Sequence, residues 1–174
     1  MARPLKLAVI GAGIGGLTAA LSLRQAGFEV DIYEQAPALT EIGGGINMGP
    51  NAARILYRLG LGDGLDRDAV RPAGGHQRRW DDGRTLQRSA LNPPCERLYG
   101  APHLTIHRAD LLAVIASGFP AGHIHLGHRL VGFADAGGTI EIDVAHPSLA
   151  LVPAEHLLDA VLFSAHPDVV RRWR

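Results

Sequence analysis

The chain opens with two short hydrophobic runs on either side of a longer one with different spacing. Residues 5–10 (LKLAVI) form an apolar run that ends at a glycine, which is typical of a buried strand in a parallel sheet. Residues 14–25 are rich in Ala and Leu and predict a helix that stops at Gly27. Residues 28–34 (FEVDIYE) alternate apolar and acidic positions and predict a second strand. Together the three segments have the length of one right-handed β–α–β crossover.

The remainder of the chain predicts shorter elements. A glycine-rich loop at 43–50 leads into a helix at 51–59, which Pro50 can open. The further predictions are strands at 76–80 and 84–87 around the Asp82-Gly83 turn, a strand at 103–107, a helix at 108–116, strands at 123–126, 129–134 and 139–144, the last two separated by Gly137-Gly138, and a helix at 153–165. The pattern as a whole predicts an α/β fold, with a Rossmann-like β–α–β core and a parallel sheet followed by a partial antiparallel β segment.

Composition excludes several classes of protein. With 47% hydrophobic and 20% charged residues among 174, the chain is an ordinary globular sequence rather than a disordered one. Seventeen basic and 17 acidic residues cancel, so the basic surface of a nucleic-acid-binding protein is not expected. Cys95 is the only cysteine, which excludes an internal disulfide and a cysteine-rich zinc module.

One segment resembles a secretion signal superficially. Residues 7–23 carry no charge and follow the basic residues Arg3 and Lys6. Four glycines within this run disfavour a signal helix, and the run is too short to span a membrane. We interpret it as a buried strand that leads into a buried helix, and we expect a cytoplasmic protein without a membrane partner.

The strongest chemical signal is the GxGxxG pattern at 11–16. It follows a predicted strand and opens a predicted helix, which is the context in which the pattern indicates a dinucleotide site. Gly11 permits the tight turn, Gly13 allows a pyrophosphate to approach the backbone, and Gly16 allows the helix to pack on the strand. The free N–H groups of the helix then face the phosphates. The alternative is a sharp strand-to-helix turn without a ligand.

Glu34 lies at the end of the second predicted strand, where an acid can accept hydrogen bonds from both hydroxyls of an adenosine ribose. It would repel a 2′-phosphate, which disfavours NADP in this position. The alternative is an exposed carboxylate at a strand end. These features predict an adenine dinucleotide and leave the choice between NAD and FAD open.

Three blocks of sequence carry a resemblance to a known family. They are VIGAGIGGLTAALSLRQAGFEVDIYEQA at 9–36, EIGGGINMGPNAARILYRLGL at 41–61 and IHRADLLAVI at 106–115. In this order they resemble the N-terminal part of the FAD-dependent aromatic-ring monooxygenases, in particular the salicylate hydroxylase and 6-hydroxynicotinate 3-monooxygenase branch. The cofactor-binding residues that this resemblance implies are Gly11, Gly13, Ile14, Gly15, Gly16, Glu34, Gln35, Asn47, Arg108 and Leu130.

The resemblance also implies a role for each group of residues. The glycines would contact the FAD pyrophosphate, Glu34 and Gln35 the ribose, and Leu130 would lie near the adenine through its backbone. Arg108 would lie along the cofactor. The residues alone leave two interpretations open: a guanidinium before a helix that suits phosphate binding, or a surface arginine near Asp110. Asn47 would lie in a loop beside the isoalloxazine ring, where some relatives carry histidine.

The activity that the resemblance implies is hydroxylation of a small aromatic substrate. In this family NAD(P)H reduces the flavin and O2 supplies the oxygen, so the cofactor performs the chemistry while the protein orients it and excludes water. No nucleophile–base pair is required, and we assign no catalytic residue.

The resemblance implies a family fold that is longer than this chain. We therefore expect a partial FAD-binding domain at 1–144, a divergent helical tail at 145–174, and the C-terminal part of the family fold to be missing. Such a chain would bind FAD weakly or not at all and would not turn over by itself. The alternatives are a non-catalytic dinucleotide-binding module and a decayed or truncated gene product.

A histidine cluster raises the question of a metal. His123 and His125 would share one face of a strand, and His128 follows a turn at Gly127. Three convergent ligands would require the chain to turn sharply there. We interpret the cluster as a polar strand face and expect no metal site.

Overall fold

The computed structural model describes residues 6–39, 43–135 and 140–145. The described elements up to the middle of the chain are β1 (Lys6–Ile10), α1 (Ile14–Gln25), β2 (Glu29–Glu34), β3 (Gly45–Met48), α2 (Pro50–Arg58), α3 (Gly62–Asp68) and β4 (Gly74–Arg78). They are followed by β5 (Thr85–Ala90), α4 (Pro94–Tyr99), β6 (Leu104–His107), α5 (Arg108–Ser117), β7 (Ile124–Leu126), β8 (Arg129–Asp135) and β9 (Ile140–Ala145).

The described residues form two compact units. The first unit consists of the described residues within Met1–Thr40 and within Ile115–Arg174. The second unit consists of the described residues within Glu41–Val114. The predicted domain at 1–144 is a division by sequence resemblance and stays a prediction. The predicted tail begins at the last residue of β9, and the predicted helix at 153–165 lies outside the described residues.

A parallel sheet forms the centre of the first unit. Its strand order is β1-β2-β7, and both pairings are parallel. The sequence predicts the parallel pairing of β1 with β2. The helix α1 connects β1 to β2 and buries Leu17, Ala20 and Leu21. Its stop is also as predicted, because Gly27 follows the last turn with φ at +94°. The unit therefore contains the β–α–β crossover that the hydrophobic spacing indicates.

An antiparallel hairpin of β8 and β9 packs against the same sheet. Ile142 and Val144 of β9 form a buried cluster with Ala8 of β1, and Leu130 and Tyr33 pack against it. Ala8 and its neighbour Val9 point to opposite faces of the sheet, because side chains alternate along a strand. Val9 faces α1 at Gly16, so the helix and the hairpin cover different faces.

A buried carboxylate links the three parallel strands. Asp31 on β2 is 6% exposed, and its oxygens lie 3.0 Å from the Lys6 ammonium on β1 and 2.8 Å from Nδ1 of His123 beside β7. His125 on β7 adds a longer contact of 3.3 Å. Burial raises the pKa of Asp31, but the hydrogen bonds from Lys6 and His123 lower it by more, so this pKa lies below the usual value for aspartate.

The second unit combines two antiparallel pairs of strands with short helices. β3 pairs with β6 and β4 pairs with β5. Arg71 ties the helices together: its guanidinium contacts Asp66 and Glu96 at 2.7 Å each, and Tyr57 at 3.1 Å. Tyr57 in turn donates a short hydrogen bond to Asp66. Burial, and then this hydrogen bond, raise the pKa of Tyr57 above its usual value.

The predicted fold class is confirmed, with three local differences. The predicted loop at 43–50 contains the strand β3, because Gly45–Met48 pairs with β6. The short helices α3 and α4 are not among the elements that the sequence predicts. The hairpin around Asp82-Gly83 is as predicted, whereas the Gly137-Gly138 turn lies outside the described residues.

Candidate functional site

The bend between β1 and α1 depends on glycine at two positions for different reasons. Gly11 has φ at +97°, a conformation that side chains disfavour, and its N–H donates to the Tyr33 carbonyl at 2.8 Å. A Cβ on Gly16 would lie 1.9 Å from the Gly11 carbonyl oxygen and 3.5 Å from Cγ1 of Val9. The turn and the close approach of helix to strand are therefore those predicted from the GxGxxG pattern.

Neither reason applies to Gly13 and Gly15. Apart from its chain neighbours and the adjoining backbone of α1, a Cβ on either residue would have no protein atom within 4 Å, and Gly13 has an ordinary φ of −70°. Gly13 is also the N-cap of α1 and makes no side-chain cap hydrogen bond, and no acidic residue lies in the first turn. The first N–H groups of a helix have no acceptor within the helix, so this end can bind an anion. Side chains here would fill the approach to those N–H groups.

Glu34 is directed at the same bend. Its Oε2 accepts the backbone N–H of Ala12 at 2.7 Å, and its Oε1 accepts that of Ala36 at 2.8 Å. The carboxylate thus joins the end of β2 to the glycine bend at the end of β1. A carboxylate has about four acceptor positions, so two remain for the hydroxyls of a sugar.

Two further predicted residues lie near this end of β2. Gln35 is exposed and follows Glu34 directly. The N–H of His128 donates to the Glu34 carbonyl at 2.8 Å, which anchors the turn before β8. Leu130 follows on β8, where the pairing with β9 is irregular between Leu130 and Gly132. The structure thus brings the backbone before Leu130 to the strand end that carries Glu34.

Asn47 and Arg108 belong to the second unit. Asn47 lies on β3 rather than in the predicted loop, because Gly45–Met48 pairs with β6. Its Oδ1 accepts a hydrogen bond from Thr105, the residue opposite, at 2.9 Å. Arg108 opens α5 directly after β6, is half-buried, and donates its N–H to the Gly44 carbonyl at 3.2 Å.

Three contacts of these residues have no signal in the sequence strong enough to predict them. The N–H of Ala12 binds Glu34, Thr105 binds Asn47, and the Arg108 side chain lies against Gly43. The first is a backbone contact, which any residue type provides. The third could have been suspected from the run of glycines at 43–45, since glycine often marks a close approach.

The histidine cluster has a structural explanation. His123 and His125 both face Asp31, as their spacing predicts, and Nδ1 of His128 lies 2.8 Å from the Leu126 carbonyl. Within residues 6–39, 43–135 and 140–145, no group of three His, Cys, Asp or Glu side chains could hold a metal ion. In the same ranges, no helix is long and apolar enough to cross a membrane.

Comparison with known proteins gives matches over most of the chain. Residues 9–47 match the family of NAD(P)-binding Rossmann-like domains. The chain is 44% identical over 125 residues to 3-amino-4-hydroxybenzoate 2-monooxygenase of Streptomyces cremeus, covering 72% of this chain and 32% of that protein. It is 38% identical over 144 residues to 6-hydroxynicotinate 3-monooxygenase of Bordetella bronchiseptica, covering 83% of this chain and 38% of that protein.

Solved structures give the same result. HpxO of Klebsiella pneumoniae, whose structure is a complex with FAD and uric acid, matches with a TM-score of 0.72 and 26% identity, over 91% of this chain and 38% of HpxO. The chain thus spans about a third of the length of the relatives that it matches. These matches confirm the resemblance to the N-terminal part of the FAD-dependent aromatic-ring monooxygenases.

Proposed function

We propose that this chain is the FAD-binding part of a flavin-dependent aromatic monooxygenase, and that its first unit holds the ADP half of the cofactor. The observation that carries the proposal is the pair of glycines at the start of α1. Neither φ nor packing within the protein requires glycine at Gly13 or Gly15. An approaching diphosphate does require it, because a Cβ would occupy its path to the helix N-terminus.

The other groups at this bend suit the adjoining ribose. The two Glu34 oxygens are each held by one backbone N–H, at Ala12 and at Ala36. This orients the carboxylate before any ligand binds, so little entropy is lost when sugar hydroxyls donate to its remaining acceptor positions. Gln35 next to it is exposed and can add a polar contact. The backbone near Leu130 would then face the adenine.

In the second unit, Arg108 is proposed to bind the cofactor with its guanidinium, which can donate to phosphate or flavin oxygens in a fixed geometry. Asn47 would lie beside the ring system. Its amide is held by Thr105 and has no basic nitrogen, so it can orient a ligand but cannot accept a proton as histidine can. No residue of the chain is assigned as a general base.

Bound FAD would supply the redox chemistry: NAD(P)H reduces it, and O2 then provides the oxygen for hydroxylation of a small aromatic ring. The named substrates of the relatives, an aminohydroxybenzoate and a hydroxynicotinate, support an aromatic or heteroaromatic acid as the substrate class. A cytoplasmic location is part of the proposal, because NAD(P)H is a cytoplasmic reductant. The chain covers about a third of its relatives, and we expect no turnover by this chain alone.

Titration of FAD into the 15N-labelled chain, followed by NMR, tests the proposal. We expect weak but saturable shifts at the amides of 11–16 and at Glu34, and the same shifts with ADP, since both carry the adenosine diphosphate. In Gly13→Asp these shifts should disappear, while the fold persists because aspartate is a favourable N-cap at an extended φ.

Other outcomes would contradict parts of the proposal. Shifts that do not saturate, or that are equal in Gly13→Asp, would exclude a diphosphate site at the bend. Saturable shifts with NAD but not with FAD would favour a non-catalytic dinucleotide-binding module. Oxygen uptake that depends on NADH and an aromatic acid would show that the chain is active alone, contrary to our expectation.

A further inference from the structure

We propose that Gly43 is a positioning residue for Arg108, because it leaves the space in which the Arg108 side chain lies. This inference rests on the proposed function, since it assigns a cause to the orientation of a proposed cofactor-binding side chain. It concerns the second unit only, to which both residues belong.

The geometry of Gly43 differs from that of an ordinary loop glycine. A Cβ on Gly43 would lie 2.9 Å from Cδ of Arg108, 3.5 Å from its Cβ and 3.7 Å from its Cγ. The whole aliphatic stem of the arginine therefore runs along this backbone. The Arg108 Cβ is fixed by α5, so a new methyl group would displace the outer part of the side chain.

The backbone of the same glycine run holds the start of α5. The Arg108 N–H donates to the Gly44 carbonyl at 3.2 Å, directly beside the contact of the side chain with Gly43. Gly43 lacks the positive φ that would itself disfavour a side chain. The arginine stem thus explains glycine at this position, and alanine there would force Arg108 into another rotamer and redirect its guanidinium.

Gly44 provides a matched control. A Cβ on Gly44 would have no atom within 4 Å, and its φ is also outside the positive range. Gly43→Ala and Gly44→Ala therefore remove the same backbone freedom from adjacent positions, and only the first meets Arg108. Any difference between them reports on the side-chain contact rather than on glycine content.

The first measurement uses the free chain and needs no ligand. The Nε–Hε resonance of Arg108, identified by its absence in Arg108→Ala, should shift in Gly43→Ala and stay in place in Gly44→Ala. Melting temperatures of the two glycine variants should be similar. An unmoved Arg108 resonance in folded Gly43→Ala would overturn the inference, whether or not FAD binds.

The second measurement is FAD affinity from amide shifts. Gly43→Ala should weaken FAD binding about tenfold or more, the effect of losing a hydrogen bond to a charged group, while Gly44→Ala should match the wild type. In an Arg108→Ala background, Gly43→Ala should have no further effect. An equal effect in both backgrounds would overturn the positioning role, whereas absence of any saturable shift at 11–16 in the wild type would contradict the proposed function instead.

Discussion

Replacing Gly16 by alanine would place a methyl carbon 1.9 Å from the Gly11 carbonyl oxygen. Real Cβ atoms essentially never come within 3.0 Å of a heavy atom outside their own residue and its chain neighbours, so the two groups must separate by more than 1 Å. The obstacle is backbone on both sides, at a bend held by the hydrogen bond from Gly11 to Tyr33. No side chain can move aside, and α1 itself must shift away from β1.

The expected cost follows from two opposing effects. Overpacking of a close contact costs about 1–3 kcal/mol and sometimes more. Alanine in place of glycine in a helix contributes up to about 1 kcal/mol in the other direction. We expect Gly16→Ala to lose about 2 kcal/mol of the free energy of unfolding, which corresponds to a melting temperature roughly 4–8 °C lower for a chain of this size.

Gly15→Ala is the matched control, because it lies one residue earlier on α1 and its Cβ would have no atom within 4 Å. This variant should melt at or slightly above the wild-type temperature. Melting followed by far-UV circular dichroism, with hydrogen exchange of the β1 amides as a local measure, compares the two. If Gly16→Ala is as stable as Gly15→Ala, α1 does not approach Gly11 as described.

Three further predictions concern the stability of the fold and are tested without a ligand. In Glu34→Gln, the backbone N–H of either Ala12 or Ala36 would face an amide NH2 group instead of an acceptor oxygen. We expect the free energy of unfolding, measured by urea denaturation, to fall by about 1–3 kcal/mol. An unchanged denaturation midpoint would contradict these two hydrogen bonds. The pKa of Asp31 is lowered in the folded state, so the ionised carboxylate stabilises the fold. This stabilisation is present above the unfolded pKa of about 3.9 and is lost as the pH falls through the folded pKa. The difference in free energy of unfolding between the wild type and Asp31→Asn should therefore narrow below about pH 4. A difference that is constant down to acid pH would exclude the ion pair with Lys6. Tyr57→Phe removes the hydrogen bond to Asp66 at the surface, and we expect the free energy of unfolding to fall by at most about 1 kcal/mol in the same urea denaturation. A loss several times larger would contradict this expectation and would show that the contacts among Tyr57, Asp66 and Arg71 are a main support of the second unit.

Several features of the site could be predicted because their causes are local. The roles of Gly11 and Gly16 follow from the junction of a strand with a helix, and both are found as expected. The shared strand face of His123 and His125 follows from side-chain alternation alone. The position of Asn47 could not be predicted, because whether residues 45–48 form a strand depends on pairing with β6, which lies far along the chain.

The hydrophobic spacing by itself determined the first crossover, from β1 through α1 to β2, and the bend that opens the helix. These depend on neighbours in the sequence, where propensity and periodicity act. Only the tertiary structure decided that β7 lies beside β2, that Glu34 holds the N–H of Ala12, and that the Arg108 stem lies against Gly43. Each of these contacts joins segments distant in the chain, and its geometry is set by how strands pair and side chains pack, which residue order alone does not specify.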